Sequence, residues 1–282
     1  MKTYLAAIGL CLSCTPTAAW AQTTEAPPPP DMSGDRVTIG AGVGSLPDYE
    51  GADDNRLYPV GIAIGQVSGI SFWTRGTQLY VDLVPDSGGV GTSFEAGPVA
   101  GIRLNRTGDI HTPQVAALGK LNTAYEVGGF AGISRTGVVT SDYDTLTARV
   151  AVTTDVGNAH KSYTISPQIS YFTPLSRYNL VGISASADYV GKGYGSYYYD
   201  VTPAGSAASG LRPYHVSGSG FQSYSLGIYG LQSITGDLTH GLGIGGGIGY
   251  TRILGKYADS PIVADVGNRD QWIAGLGLAY TF

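Results

Sequence analysis

The chain has 282 residues, with 16 Lys and Arg against 21 Asp and Glu and a formal charge of −5. That mild acidity argues against a nucleic-acid partner, which would select for a basic stripe. Charged residues are only 13% of the chain and there are 43 glycines, about half and about twice the usual shares. No stretch after the first 21 residues approaches the roughly 18 apolar residues of a membrane helix, so the composition points to a β-barrel or a large β-sandwich.

Lys2, the apolar run Tyr4–Leu12 and Ala19-Trp20-Ala21 before Gln22 have the form of a secretory signal peptide over residues 1–21, cut near Ala21. Cys11 and Cys14 lie inside it, so the mature chain has no cysteine for a disulfide or a metal. A lipoprotein cut before Cys14 is the competing reading, and Cys11 and Leu12 fit such a site poorly. Residues 22–35 form a tail containing Pro27–Pro30, expected as a stiff polyproline II segment on the periplasmic side.

From residue 36 to 282 a period of two recurs, which is the signature of strands with two different faces. Val37, Ile39, Ala41 and Val43 alternate with small residues, and Tyr58, Val60, Ile62 and Ile64 do the same; both sets are expected to face outward. Phe94 to Leu104 and Leu146 to Val152 alternate with inner faces carrying Glu95, Arg103, Arg149 and Asp155. Leu242, Ile244, Ile248 and Tyr250 stand opposite Gly241, Gly243, Gly245, Gly247 and Gly249. Trp272, Leu276, Leu278, Tyr280 and Phe282 make one large apolar face of the closing strand. The segments 36–44, 57–66, 69–74, 77–84, 93–104, 125–135, 144–155, 161–173, 177–190, 221–231, 240–252 and 271–282 predict about twelve strands of an all-β, transmembrane, antiparallel up-and-down β-barrel.

An even strand count puts both ends on one side, with long loops at 45–56, 106–124, 191–220 and 253–270 outside and short turns inside. Fusing 69–84 into one strand would reverse every later assignment. Tyrosines (20) far outnumber phenylalanines (6), and Tyr58, Tyr163, Tyr171, Tyr189, Tyr250 and Tyr280 stand near strand ends, where headgroups receive such rings. In the loop 105–124, Thr112-Pro113 ahead of Val115, Leu118 and Leu121 predicts a short helix over the barrel mouth.

Chemistry-bearing patterns are sparse, and no catalytic, cofactor or metal site is expected. His111, His160, His215 and His240 have no paired spacing. The pairs His160/Ser162 and His215/Ser217 loosely resemble lipid A deacylases, but Ser162 faces the lumen and Ser217 a loop. Gly241 to Gly246 fits G-x-G-x-x-G, yet strand alternation continues to Tyr250, so the glycines read as a strand face that leaves room inside the barrel. Asp48, Glu50, Asp53 and Asp54 form an acidic cluster with no EF-hand spacing, better read as a turn on Gly51. Glu95, Arg103, Glu126, Arg149 and Asp155 are lumen candidates; opposite charges can line a channel or pair and plug it.

With these patterns in place, LPDYEGADDNRLYPV (Leu46–Val60), SYYYDVTPAGSAASGLRPY (Ser196–Tyr214), YTRILGKYADSPIV (Tyr250–Val263) and the closing AYTF resemble the MltA-interacting protein / OmpV family of Gram-negative outer-membrane proteins. The residues carrying it include Asp48, Tyr49, Glu50, Gly51, Asp53, Asp54, Ser260 and Pro261. The resemblance implies a non-enzymatic barrel in outer-membrane lipid. It also implies that Tyr280 and Phe282 form a signal for the outer-membrane assembly machinery. The partners it implies are a murein transglycosylase and a murein synthase, joined by a scaffold. A small-solute pore and an adhesin are the alternatives.

Overall fold

Each of the twelve expected strands forms, and each pairs antiparallel with the next in sequence: β1 (Arg36–Pro47), β2 (Asn55–Val67), β3 (Ile70–Arg75), β4 (Gln78–Asp82), β5 (Gly91–Arg103), β6 (Ala124–Thr136), β7 (Thr145–Asp155), β8 (Tyr163–Pro174), β9 (Asn179–Val190), β10 (Gly220–Ser233), β11 (Gly241–Ile253) and β12 (Asp270–Thr281). The computed structural model describes residues 34–85 and 88–282; the expected signal peptide and nearly all of the proline-rich tail lie outside the described residues. The sheet closes where β1 meets β12, from Thr38 opposite Thr281 to Ser45 opposite Ala274. Their threonine hydroxyls bond at 2.8 Å. Closure leaves no free outer edge at the seam, which a bilayer requires.

Ile39, Val43, Phe94, Val150, Ile183, Ile228, Ile248, Trp272 and Leu276 all stand exposed on the outer face. So large an apolar exterior is solvated by lipid, not by water. The separate hairpin of β3 and β4 keeps the strand parity, so the three longest connections, 104–123, 191–219 and 254–269, leave the same end of the barrel as the shorter 48–54, 76–77 and 156–162. Four of these carry or contact short helices: α1 (Pro113–Ala116), α2 (Lys192–Tyr199), α3 (Pro203–Ser209), α4 (Gly255–Ala258) and α5 (Pro261–Ala264). The helix expected after Thr112 is α1, with Pro113 in its first turn and Val115 fully buried.

β2 corrects the sequence reading. Its ladder with β1 sets Gly44 opposite Tyr58, Gly42 opposite Val60, Gly40 opposite Ile62 and Thr38 opposite Ile64. Residues opposite each other share a face, so the large side chains of β2 point inward, over the glycines of β1. A Cβ at Gly40 would come within 2.8 Å of Ile62, and one at Gly44 within 2.9 Å of Val60. Alternation distinguishes two faces without saying which is inner, and here the vacancy above β1 decides it. Tyr58 accordingly reaches Asp48 at 3.4 Å instead of the headgroup level, while Tyr163 and Tyr280 remain on the outer face.

Inside, Trp73 stacks on Tyr80 at 5.4 Å and meets Phe130 edge-on at 5.3 Å, with Val99 and Ala151 completing a core. Arg149 sits 4.4 Å over Trp73 and pairs with Glu95 at 2.7 Å. On the opposite wall the glycine face of β11 continues as strand, without a phosphate-binding turn. There the outer face carries no side chain at Gly246, where a Cβ would lie 2.6 Å from the Gly275 carbonyl of β12. Val43, Ile183, Ile228, Ile248, Trp272 and Leu276 line the resulting apolar hollow of about 1340 Å³.

Candidate functional site

The first connection at this end, residues 48–54, turns inward instead of outward. Asp48 anchors it through Arg56 at 3.0 Å and the His111 backbone N–H at 2.8 Å. Gly51 carries φ +101°, and a Cβ there would meet Val263 at 2.5 Å, so both conformation and space demand glycine. Gln271 fixes this turn from β12: its Oε1 accepts from Gly51 N at 3.1 Å and its Nε2 donates to the Ala52 carbonyl at 2.7 Å. Tyr49 is buried and donates to the Ile262 carbonyl at 3.2 Å.

This geometry delivers Glu50 into the mouth of the barrel. Its carboxylate accepts from Tyr194 at 2.9 and 2.8 Å, from Tyr199 at 3.2 Å and from Arg103 at 3.1 Å. Arg103 also bonds Glu126 at 3.0 and 3.3 Å, and the Glu126 carboxylate meets His160 Nε2 at 3.1 Å. Gln222 donates to the Tyr199 hydroxyl at 2.6 Å. The charges alternate from Glu50 through Arg103 to Glu126, and charge-assisted bonds of this kind are the strong ones. Around them pack Tyr194, Tyr198, Val216, Ile253 and Tyr257, all buried.

The third motif closes the arrangement. Ser260, wholly buried, donates to the Tyr199 carbonyl at 2.6 Å, and Pro261 begins α5 so that Ile262 and Val263 reach the first loop. Segments far apart in sequence thus form one knot across the long-loop end. Burial raises the tyrosines that hold it: Tyr49 and Tyr257 are pushed up to about 12, and Tyr194, Tyr198 and Tyr199 rise as well.

The acidic cluster is divided. Asp48 and Glu50 bond within the protein, whereas Asp53 and Asp54 are exposed. Among the described residues no group of three or more His, Cys, Asp or Glu is placed to hold a metal. Of the lumen candidates, Arg103 and Glu126 belong to the knot, Glu95 and Arg149 pair below it, and Asp155 closes the β7–β8 turn through Gly157 N at 2.8 Å and Lys161 N at 3.0 Å. His160 bonds Glu126 and not Ser162, and His215 Nδ1 meets Asp200 at 2.6 Å. Tyr280 and Phe282 meet edge-on, ring centres 4.8 Å apart, at the other end of the barrel, with Phe282 N bonded to the Val37 carbonyl.

Sequence reasoning missed Tyr194, Gln222 and Gln271. The i, i+4 spacing of Tyr194 and Tyr198 on a helix was the one available signal; nothing local marks a glutamine as the clamp for a turn 220 residues away.

A search of curated proteins gives no match. Among solved structures, the COG4313 outer membrane channel from Pseudomonas putida F1 aligns at 15% identity and a TM-score of 0.42, covering 94% of this chain and 100% of that one. The outer membrane channel DcaP of Acinetobacter baumannii aligns at 12% and 0.33, covering 88% and 96%. Likenesses of this size do not bear on what this chain binds or passes. Residues 39–282 match the family described as MltA-interacting protein MipA, nearly the whole of the barrel and every segment of the knot. The chain belongs to the MltA-interacting protein MipA family.

Proposed function

We propose that this protein is a non-enzymatic interaction barrel of the outer membrane, whose long-loop end faces outward and whose short-turn end holds murein-remodelling enzymes, a transglycosylase and through it a synthase. The observation carrying this reading is the family match, whose description names an MltA-interacting protein. Two features support it. The knot around Glu50 spans the outward mouth, so a wide water-filled pore is disfavoured. At the opposite end Val90, Val139, Leu175 and Ile234 stand exposed on turns, apolar anchors of the kind a protein partner covers. Of the lumen charges, Arg103 pairs with Glu50 and Glu126, and Arg149 pairs with Glu95, so these four lumen candidates are spent within the protein. Cross-linking in intact cells followed by identification of the partners tests the proposal. A murein transglycosylase among the products is expected; its absence, with surface ligands recovered instead, would favour an adhesin.

A further inference from the structure

One part of the barrel wall is unfinished. β2 pairs with β3 only from Ile64 to Val67, whereas its other edge pairs with β1 all the way to Asn55. Ala63 N still donates to the Thr74 hydroxyl of β3 at 3.0 Å, but the stretch Asn55–Ile62, roughly 26 Å of strand at about 3.3 Å per residue, pairs with no strand on its β3 side among the described residues. The tip of the β3–β4 hairpin leans the other way: Ile102 N donates to the Thr77 carbonyl at 3.3 Å and the Thr77 hydroxyl to the Ile102 carbonyl at 2.5 Å. A slot therefore opens between β2 and the hairpin. The segment 104–111 bridges its top, where the Asp109 carbonyl accepts from Arg56 at 2.8 Å.

Unpaired backbone in hydrocarbon costs several kcal/mol per group and is tolerated only where it meets protein or water. Pro59 removes one donor from the strand; the remaining groups require a wet slot, continuous with the lumen. Behind it the inner surface is apolar. Ile62, Ile64 and Ile273 are 44%, 49% and 38% exposed although they point inward, so this strip of lumen is unfilled. Had the β2–β3 ladder continued, Ile62 would face Arg75. Arg75 reaches across the lumen to Ser186 at 2.9 Å, and among the described residues no carboxylate lies within ion-pair distance of it. Asp188, nearby on β9, is bonded to Ser166.

We propose that this slot is a lateral entrance for a single-chain anionic amphiphile of the fatty-acid type. The tail lies along Val60, Ile62 and Ile64, where burial of methylenes favours it, and the carboxylate takes the guanidinium of Arg75. This site is separate from the short-turn end and does not depend on the scaffold reading.

Photolabelling tests it, using the full barrel in nanodiscs and dodecanoate bearing a diazirine. The expected label falls on peptides covering 58–64 and 70–75, and dodecanoate competes for it while dodecanol at equal concentration does not. Arg75→Gln should lower that labelling at least tenfold and leave the labelling of lipid-facing β11 and β12 unchanged. Gly61→Trp, on the outer side of the free edge, keeps Arg75 and should lower it by narrowing the slot; heat-dependent gel mobility reports whether each variant is folded. Label confined to the lipid-facing surface, or label at 58–64 that dodecanol displaces equally and neither variant reduces, would overturn the proposal.

Discussion

Replacing Glu50 with Ala removes the acceptor shared by Tyr194, Tyr199 and Arg103. Breaking a buried charge pair from one side costs about 3–5 kcal/mol. Here the lower figure applies, because the two side chains retain 28% and 23% of their exposure and Arg103 keeps Glu126 as a partner. About 3 kcal/mol shifts the ratio of docked to undocked knot roughly a hundredfold, at about 1.4 kcal/mol per decade. The strand ladders do not use Glu50, so the barrel persists. Amide hydrogen exchange resolves such local opening: residues 49–52 and 192–199 should exchange about a hundredfold faster in Glu50→Ala, with β7 and β8 unchanged. Glu50→Gln, which keeps an acceptor but not the charge, should fall between. Exchange in Glu50→Ala equal to that of the native chain would refute the view that this carboxylate holds the mouth closed.

The tyrosines give a pH dependence. Their neutral form is favoured by burial, so the stability they add is full below the ordinary tyrosine value near 10 and is lost as pH rises toward about 12, where Tyr49 and Tyr257 titrate. Ultraviolet titration should therefore show a late class of tyrosinates appearing together with protease cleavage in 191–219; all tyrosines ionising together near pH 10 would contradict this. Phe282→Asp should cross the inner membrane normally and assemble poorly, seen as loss of heat-dependent gel mobility; normal assembly would end its role as a sorting residue. Deleting residues 24–33 should leave assembly intact and lower transglycosylase co-purification if the proline-rich tail is a handle, whereas full retention would move the contact to the turns around Val90, Val139 and Ile234.

The barrel was legible because each strand repeats a two-residue pattern that depends only on local chemistry. The side of β2 was not, since large-against-small alternation has the same period whichever face is inner, and only the glycines of the neighbouring strand break the tie. The knot was half visible. The motif residues Asp48 to Gly51 and Ser260-Pro261 stood out as a set, but their convergence on Tyr199 and Gln271 is a product of the closed ladder, which brings the β1–β2, β9–β10 and β11–β12 connections to one end. The slot beside β2 was invisible, because it depends on where a ladder stops, and nothing in Ile70–Arg75 announces that the hairpin falls short of its neighbour.

Site-specific photo-cross-linking tests the proposed function most directly. With a photoreactive residue placed at Val139 or Ile234 on the short-turn end, and separately at Ala207 in α3 on the long-loop end, the product from intact cells is identified by mass spectrometry. A murein transglycosylase captured at Val139 or Ile234 and absent at Ala207 is the expected result. Capture of no murein enzyme at Val139 or Ile234, from a barrel shown to be assembled, would contradict it.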